Sequence, residues 1–228
     1  MEVTPAFLTG SPDARCEPPS ADPDITPQLL AVILGRGQFN AASQAAARRL
    51  LQRIGSAAEI ARASSEEISR CAGVSQKRAE LLLAALQLGW RLCSVPLRPG
   101  ERFSNSCDLF QRYRARFYSA SKEYFLSLHL NSKNQLIREV LVSIGSLSTS
   151  VVHPREVFAP AVRDSAASLI LMHNHPSGDP APSREDRECT QRLYQAGKLL
   201  GIRVLDHVVI GYDQYFSFAD AALLAEQP

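Results

Sequence analysis

Two histidines and one aspartate are spaced in this sequence so that they could bind one metal ion. His173 and His175 stand two residues apart, directly after the apolar residues 167–172, and Asp186 follows a turn-forming segment. Residues i and i+2 of a β-strand project from the same face, so both imidazoles can reach one point. Two imidazoles and one carboxylate leave the fourth position of a tetrahedral ion open, as in catalytic zinc sites. The pattern predicts a single Zn²⁺ ion and metal-assisted hydrolysis.

The local sequence also predicts the elements that would position these residues. Residues 167–172 form a short apolar run that ends at a turn, which is typical of a buried strand. The prolines and the glycine of residues 176–182 interrupt regular structure. Ser183 is a favourable helix N-cap, and the acidic residues after it suit the positive end of a helix. We therefore expect a helix from Ser183 to about Leu200, with Asp186 pointing back toward the strand end.

This segment resembles a known family. The sequence H-N-H-P at residues 173–176, followed after a spacer by Ser183 and Asp186, is similar to the metal-binding motif of the JAMM (MPN+) metalloproteases. The Ser-Gly pair directly after it resembles the RadC branch of that family. The resemblance implies that His173, His175 and Asp186 bind one zinc ion in an enzyme that cleaves peptide or isopeptide bonds. Two polar histidines beside an ordinary helix cap are the alternative interpretation.

The resemblance further implies two catalytic residues outside the triad. Glu123, directly before the first predicted core strand, matches the glutamate that serves as general base in JAMM enzymes. Ser183 matches the motif serine, whose hydroxyl would stabilise the developing oxyanion. Without the resemblance the choice of base stays open, because Glu139 and Glu156 cannot be told apart from Glu123.

Three other histidines lie outside the motif. His129 is predicted to be an exposed or hydrogen-bonded side chain of its strand, and His153 to stand at the start of a helix. His207 follows Asp206 in a predicted strand. We interpret His207 as a buried structural histidine, with the orientation of a metal ligand as the alternative.

Composition divides the chain into four parts. Residues 1–26 hold five prolines and few large apolar groups, which predicts a flexible tail. Residues 27–95 show helical periodicity and capping motifs, and residues 96–104 contain the prolines and glycine of a linker. Residues 105–228 alternate strand and helix signals, beginning with an expected hairpin and ending with a short helix. This order indicates an α/β fold, and the resemblance implies the deaminase-like, three-layer JAMM/MPN version.

The helical module, residues 27–95, has a net charge of +5, from nine Lys and Arg against four Glu. Gly73-Val74-Ser75, followed by Lys77 and an apolar helix, resembles the hairpin of helix-hairpin-helix DNA-binding modules. In such hairpins the N–H groups at a helix N-terminus bind a phosphate. Ser75 replaces the second glycine of that hairpin. We expect weak, sequence-independent DNA binding, and a helical bundle with a solvated basic face is the alternative.

The cysteines and the hydropathy of the sequence predict the cellular compartment of the protein. The five cysteines are odd in number and scattered without a CxxC pair, which predicts free thiols and a cytoplasmic protein. No apolar run approaches the ~20 residues of a membrane span, and the acidic N-terminal segment lacks the features of a secretory signal. We expect no membrane association.

The residues alone favour zinc-assisted hydrolysis, and the resemblance implies a zinc-dependent metallopeptidase with an unknown protein or peptide substrate. One alternative is a DNA-associated accessory protein of DNA repair or recombination, in which the metal site is structural. A metal-dependent nuclease is another, although the triad lacks the paired acids of two-metal phosphoryl chemistry. A zinc deaminase would need H-x-E and P-C-x-x-C elements that the sequence lacks.

Overall fold

The computed structural model of the chain describes residues 25–93, 97–117, 120–145 and 152–224. The described residues form two compact units, an N-terminal one with residues 25–93 and a C-terminal one with the described residues from 97 onward. The described part of the N-terminal unit is all-helical, and that of the C-terminal unit contains one sheet. Most of the predicted tail, residues 1–26, lies outside the described residues.

Apolar side chains from five helices form the core of the N-terminal unit. The helices are α1 (Thr26–Leu34), α2 (Ala41–Arg53), α3 (Ala57–Arg62), α4 (Ser65–Ala72) and α5 (Gln76–Cys93). Leu50, Ile60 and Ile68 are completely buried in this core. α1 begins at Thr26, inside the segment predicted as a tail, because Pro27 is favourable in a first helical turn. The unit confirms the predicted all-helical module.

Gly55 and Gly73 have positive φ and precede helices of this unit. Gly55 (φ +109°) lies before α3, and Gly73 (φ +67°) ends α4 shortly before α5. The Ser56 hydroxyl and the Glu59 carboxylate cap α3 reciprocally, so an acidic side chain already covers its N-terminal N–H groups. α5 differs, because its first turn holds no acidic residue and contains Lys77.

The C-terminal unit is a five-stranded sheet with helices on both faces. Its elements are α6 (Ser106–Phe117), β1 (Tyr124–Leu130), β2 (Leu136–Ile144), α7 (Pro154–Arg163), β3 (Ser168–Asn174), α8 (Arg184–Leu200), β4 (Arg203–Ile210) and β5 (Tyr215–Ser217). The strand order is β2-β1-β3-β4-β5. β3 and β4 are parallel and joined by α8, whereas the other neighbouring strands are antiparallel.

Alternating side chains along the strands build one core on each face of the sheet. On one face, Leu126 of β1 packs in a cluster with Phe110 of α6. On the other, Leu171 of β3 belongs to a cluster with Phe158 of α7 and Leu193 of α8. The helix, sheet and helix layers confirm the predicted three-layer α/β architecture. Residues of β3 in phase with Leu171, including His173, face the layer that contains α8.

The structure differs from the expectations at both ends of this unit. The predicted linker, residues 96–104, is not separate from the domain, since Phe103 is buried in the core and Arg102 pairs with Gln135. The short helix expected at the chain end is not formed up to residue 224, where the described residues from 218 form turns. Ala222 has a φ of +55°, which interrupts right-handed helical geometry.

The cysteines are not all in the expected state. Cys71 and Cys189 have free thiols, whereas Cys107 is disulfide-bonded, so the expectation of free thiols is wrong for Cys107. Across the described ranges, no helix is long and apolar enough to cross a membrane.

Candidate metal centre

The two histidines of the motif lie at the carboxyl end of β3. His173 is inside β3, pairs in register with Phe125 of β1 and is completely buried. His175 lies one residue beyond the strand, but its N–H still donates to the carbonyl oxygen of Ile210 at 2.9 Å. Extended geometry therefore continues through His175, and the centroids of the two imidazoles are 4.9 Å apart.

The first turn of α8 supplies the carboxylate. Ser183 is the N-cap of α8, and Asp186 is the third residue of the helix. Asp186 Oδ2 accepts hydrogen bonds from the Ser183 N–H at 2.7 Å and from the Ser183 hydroxyl at 2.6 Å. The Asp186 N–H donates to Ser183 Oγ at 3.1 Å in return. This reciprocal capping holds a carboxylate that is only 1% exposed at the end of β3.

Three ligand atoms of His173, His175 and Asp186 converge. The Nε2 atoms of the histidines are 3.1 Å apart, and the Asp186 oxygens lie 3.2 Å from His173 Nε2 and 3.3 Å from His175 Nε2. Ligands at about 2.0–2.1 Å from a tetrahedral zinc ion are separated by about 3.3 Å. The three donors therefore have the mutual spacing of ligands on one ion.

The hydrogen bonds around the triad leave one atom of His175 and one of Asp186 available as metal ligands. His175 Nδ1 lies 2.7 Å from the carbonyl oxygen of Asp179, which can only accept, so Nδ1 carries a proton and Nε2 is available as a ligand. Asp186 Oδ1 is buried and accepts no hydrogen bond, although His173 Nε2 lies 3.2 Å away. A buried carboxylate oxygen without a partner is unfavourable, and a bound cation would offset that cost. The residues present therefore fit a metal ion.

The electrostatics of the triad keep its carboxylate ionised. Burial alone would raise the pKa of Asp186, but interactions with His173, His175 and Ser183 hold that pKa well below its usual range. Burial also opposes protonation of His175. The hydrogen bonds with the Asp186 carboxylate and the Asp179 carbonyl oxygen outweigh burial and raise the pKa of His175, with smaller contributions from the charges of Asp186 and Glu123.

Glu123 stands at the edge of this centre, directly before β1. Because β1 is antiparallel to β3, the start of β1 lies beside the end of β3, close enough for the Glu123 charge to act on His175. Asn174 secures the backbone on both sides of Glu123. Its side-chain oxygen accepts from the Tyr124 N–H at 2.8 Å, and its NH₂ group donates to the Lys122 carbonyl oxygen at 3.1 Å.

The other two glutamates considered as the base have different surroundings. Glu139 on β2 accepts hydrogen bonds from the Tyr113 hydroxyl at 2.7 Å and from Arg116 at 2.6 Å. Glu156 is exposed in the first turn of α7. Of these three glutamates, Glu123 is the one that contributes to the raised pKa of His175.

Comparison with known families covers both units of the chain. The family model described as a RadC-like JAB domain matches residues 103–223, which include the triad and Glu123. The chain belongs to the RadC family. A second model, described as a SAM-like helix-hairpin-helix tandem, matches residues 44–88 of the helical unit.

Individual relatives of this RadC family member match it over most of their length. The UPF0758 protein of Trichlorobacter lovleyi is 48% identical over 200 residues, which are 86% of this chain and 87% of the relative. The UPF0758 protein of Syntrophotalea carbinolica is 45% identical over 199 residues, 86% of this chain and 88% of the relative. That of Bacillus pumilus is 43% identical over 203 residues, with the same coverage of 86% and 88%. These names state no substrate, so the reaction has to be argued from the site.

In this RadC family member another histidine, His207, contacts His173. His207, interpreted as a structural residue, is completely buried, and its Nε2 lies 2.9 Å from His173 Nδ1. Burial lowers the pKa of His207. The contact arises from the parallel pairing of β3 with β4, which no local pattern indicates. The complete burial of His207 agrees with the favoured interpretation, and its contact with the candidate ligand His173 is the one that the alternative interpretation requires.

The remaining two histidines lie in other places. His129 is buried, and its Nδ1 lies 2.5 Å from Asp164 Oδ2, so it is hydrogen-bonded. His153 is the N-cap of α7, at the helix start where it was expected.

Proposed function

We propose that this RadC family protein is a zinc-dependent hydrolase of the JAMM type that cleaves peptide or isopeptide bonds. The observation that carries the proposal is the convergence of His173, His175 and Asp186, with an Asp186 oxygen that has no hydrogen-bond partner. Membership in a JAB-domain family supports a metallohydrolase in general, without specifying the bond that is cleaved. Glu123, beside His175, adds the proton acceptor that hydrolysis needs.

His173 Nε2, His175 Nε2 and the Asp186 carboxylate would hold the ion. When bound there, zinc would supply Lewis-acid chemistry, which polarises a carbonyl group and makes water more acidic. The Glu123 carboxylate accepts one proton from the water molecule that attacks the amide carbon. The same carboxyl group delivers that proton to the leaving nitrogen as the C–N bond breaks, so the amine departs neutral.

Ser183 can serve both the helix and the reaction. Its Oγ accepts from the Asp186 N–H, and this cap does not use the hydroxyl proton. That proton is now donated to Asp186 Oδ2 at 2.6 Å. Turning the proton toward a developing oxyanion would leave the cap intact and stabilise negative charge on the substrate oxygen.

The test separates metal binding from catalysis. Elemental analysis of the purified full-length chain should find zinc in the wild type and in Glu123→Gln, and none in His175→Ala. Digestion of a proteome-derived peptide library, followed by mass spectrometry of the new N-termini, should show cleavage that falls by roughly 10²–10⁴-fold in Glu123→Gln. Full zinc occupancy in His175→Ala, or unchanged cleavage by Glu123→Gln, would contradict the proposal. Zinc without any cleavage by the wild type would instead favour a structural metal site.

A nuclease is less well supported by the same geometry. Two-metal phosphoryl transfer requires two ions about 3.5–4 Å apart, each with its own ligands. Within the described part of the chain, His173, His175 and Asp186 form the one group of three or more potential metal ligands.

We propose as a second property that the helical unit binds DNA weakly and without sequence preference, which would suit an accessory role in repair or recombination. Gly73 turns the chain with a positive φ before α5, whose first turn carries Lys77 and Arg78 and no acidic side chain. A phosphate there would meet N–H groups, the positive helix end and two cations. The helix-hairpin-helix tandem that matches residues 44–88 spans this turn.

A further inference from the structure

A chain of hydrogen bonds links two members of the metal centre through two buried side chains. The Thr190 hydroxyl lies 2.6 Å from the carbonyl oxygen of Asp186 and 2.6 Å from His207 Nδ1. His207 Nε2 in turn lies 2.9 Å from His173 Nδ1. Thr190 is 2% exposed, and both histidines are 0% exposed. The bonds therefore run from the backbone of one candidate ligand to the imidazole of another, out of contact with bulk water.

The chemistry of the first acceptor determines the direction of every proton in this chain. A carbonyl oxygen can only accept, so the single proton of the Thr190 hydroxyl goes to Asp186. Thr190 Oγ1 must then accept from His207 Nδ1–H. In a neutral imidazole the second nitrogen is an acceptor, so His207 Nε2 accepts from His173 Nδ1–H. In the neutral form of His173, Nε2 is then the nitrogen without a proton, and it faces His175 and Asp186.

We propose that Thr190 and His207 are positioning residues that fix His173 in the tautomer able to bind a metal. This inference rests on the proposed function for the identity of the ion, but not for the tautomer. Metal-binding histidines commonly donate their second N–H to a carboxylate, a carbonyl or water. Here the acceptor is a neutral imidazole, which orients the ring and adds no negative charge to the centre.

The packing around His207 does not by itself require a histidine at this position. The rings of Phe218 and Phe125 lie at centroid distances of 5.2 Å and 5.3 Å from its own ring. A phenylalanine would suit such an aromatic environment without burying two polar nitrogens. Both nitrogens of His207 instead have partners, so its hydrogen bonds are the property that phenylalanine would lack.

Removal of the Thr190 hydroxyl tests this series of hydrogen bonds most directly. Valine has a shape similar to that of threonine, but in Thr190→Val the His207 Nδ1–H would lose its acceptor. The tautomers of His173 and His207 that are protonated at Nε2 would then become favourable. This change of tautomer places a proton on His173 Nε2, where the metal has to bind. Competition with a chromophoric chelator should show Zn²⁺ affinity weakened by about 10–100-fold in Thr190→Val and in His207→Phe.

Matched variants distinguish this effect from a general loss of structure. Thr190→Ser keeps the hydroxyl and should restore the wild-type dissociation constant. Ser127→Ala removes a completely buried hydroxyl that has no hydrogen-bond partner and should leave Zn²⁺ affinity unchanged. Wild-type affinity in both Thr190→Val and His207→Phe would overturn the inference.

A measurement on the metal-free protein tests the tautomer independently of any reaction. Long-range ¹H–¹⁵N NMR spectra of the wild type should show His173 and His207 both protonated at Nδ1, and Thr190→Val should lose this preference. If the wild type bound no zinc, the proposed function would fail while this spectrum still decided the inference. Protonation of His173 at Nε2 in the wild type would refute it.

Discussion

Replacing Asn174 with alanine tests how the start of β1 is held beside the metal centre. The substitution removes two side-chain hydrogen bonds to backbone, at 2.8 Å to the Tyr124 N–H and 3.1 Å to the Lys122 carbonyl oxygen. Asn174 is 1% exposed, so bulk water does not readily replace them. Each bond contributes about 0.5–1.5 kcal/mol net, which predicts a loss of about 1–3 kcal/mol in the free energy of unfolding.

Urea unfolding of the metal-free, full-length chain measures this loss. Zn²⁺ affinity should change little, because the Asn174 side chain bonds to the backbone beside Glu123 and not to the ligand side chains. Cleavage of any substrate of the wild type should fall, because the Glu123 backbone is no longer held. Adding Asn174→Ala to Glu123→Gln should then reduce cleavage no further, since both changes act through one group.

Two results would refute this reasoning. One is a loss in unfolding free energy well below about 0.5 kcal/mol, the lower bound for a single bond. The other is loss of zinc comparable to that of His175→Ala, which would place Asn174 in metal binding instead. Ser127→Ala serves as the control, because it removes a buried polar group without removing a hydrogen bond.

The remaining predictions concern pH and nucleic acid. Burial raises the pKa of Asp206 to about 6, so the folded state holds this proton more tightly than the unfolded chain. Its contribution to stability is present below about pH 4 and is lost as the pH rises through about 6, a change of roughly 3 kcal/mol. Chemical unfolding from pH 4 to 8 should therefore show the wild type losing stability relative to Asp206→Asn, and parallel curves would contradict this. In DNA binding by the full-length chain, joint Lys77→Glu and Arg78→Glu changes should flatten the salt dependence by about two phosphates' worth of slope. Joint Lys133→Glu and Arg203→Glu changes in the other unit should leave the salt dependence unchanged. An equal effect of both pairs would contradict phosphate binding at the turn before α5.

The elements around the metal centre could be predicted because their signals are local. The expected hairpin is formed by β1 and β2, since alternation of apolar residues acts between near neighbours. The capping of α8 by Ser183 and Asp186 spans three residues and is likewise local. By contrast, the helix expected at the chain end is interrupted at Ala222, where a positive φ appears at a residue with no special preference for it.

The contacts that complete the site are long-range and depend on strand pairing. Antiparallel pairing of β1 with β3 places the residue before Tyr124 next to the histidines, which is why Glu123 rather than Glu139 lies beside them. Parallel pairing of β3 with β4 brings His207 against His173. Hydrophobic patterning specifies which face of a strand is buried but not which strand lies beside it.

The sequence by itself determined the candidate ligand types, their spacing and the elements that carry them, because each depends on residues close together in the chain. Tertiary structure decided which glutamate approaches the triad, that Asn174 secures its backbone, and that Thr190 and His207 orient His173. Those contacts join residues from β1, β3, α8 and β4, and they exist only when the sheet assembles in this order.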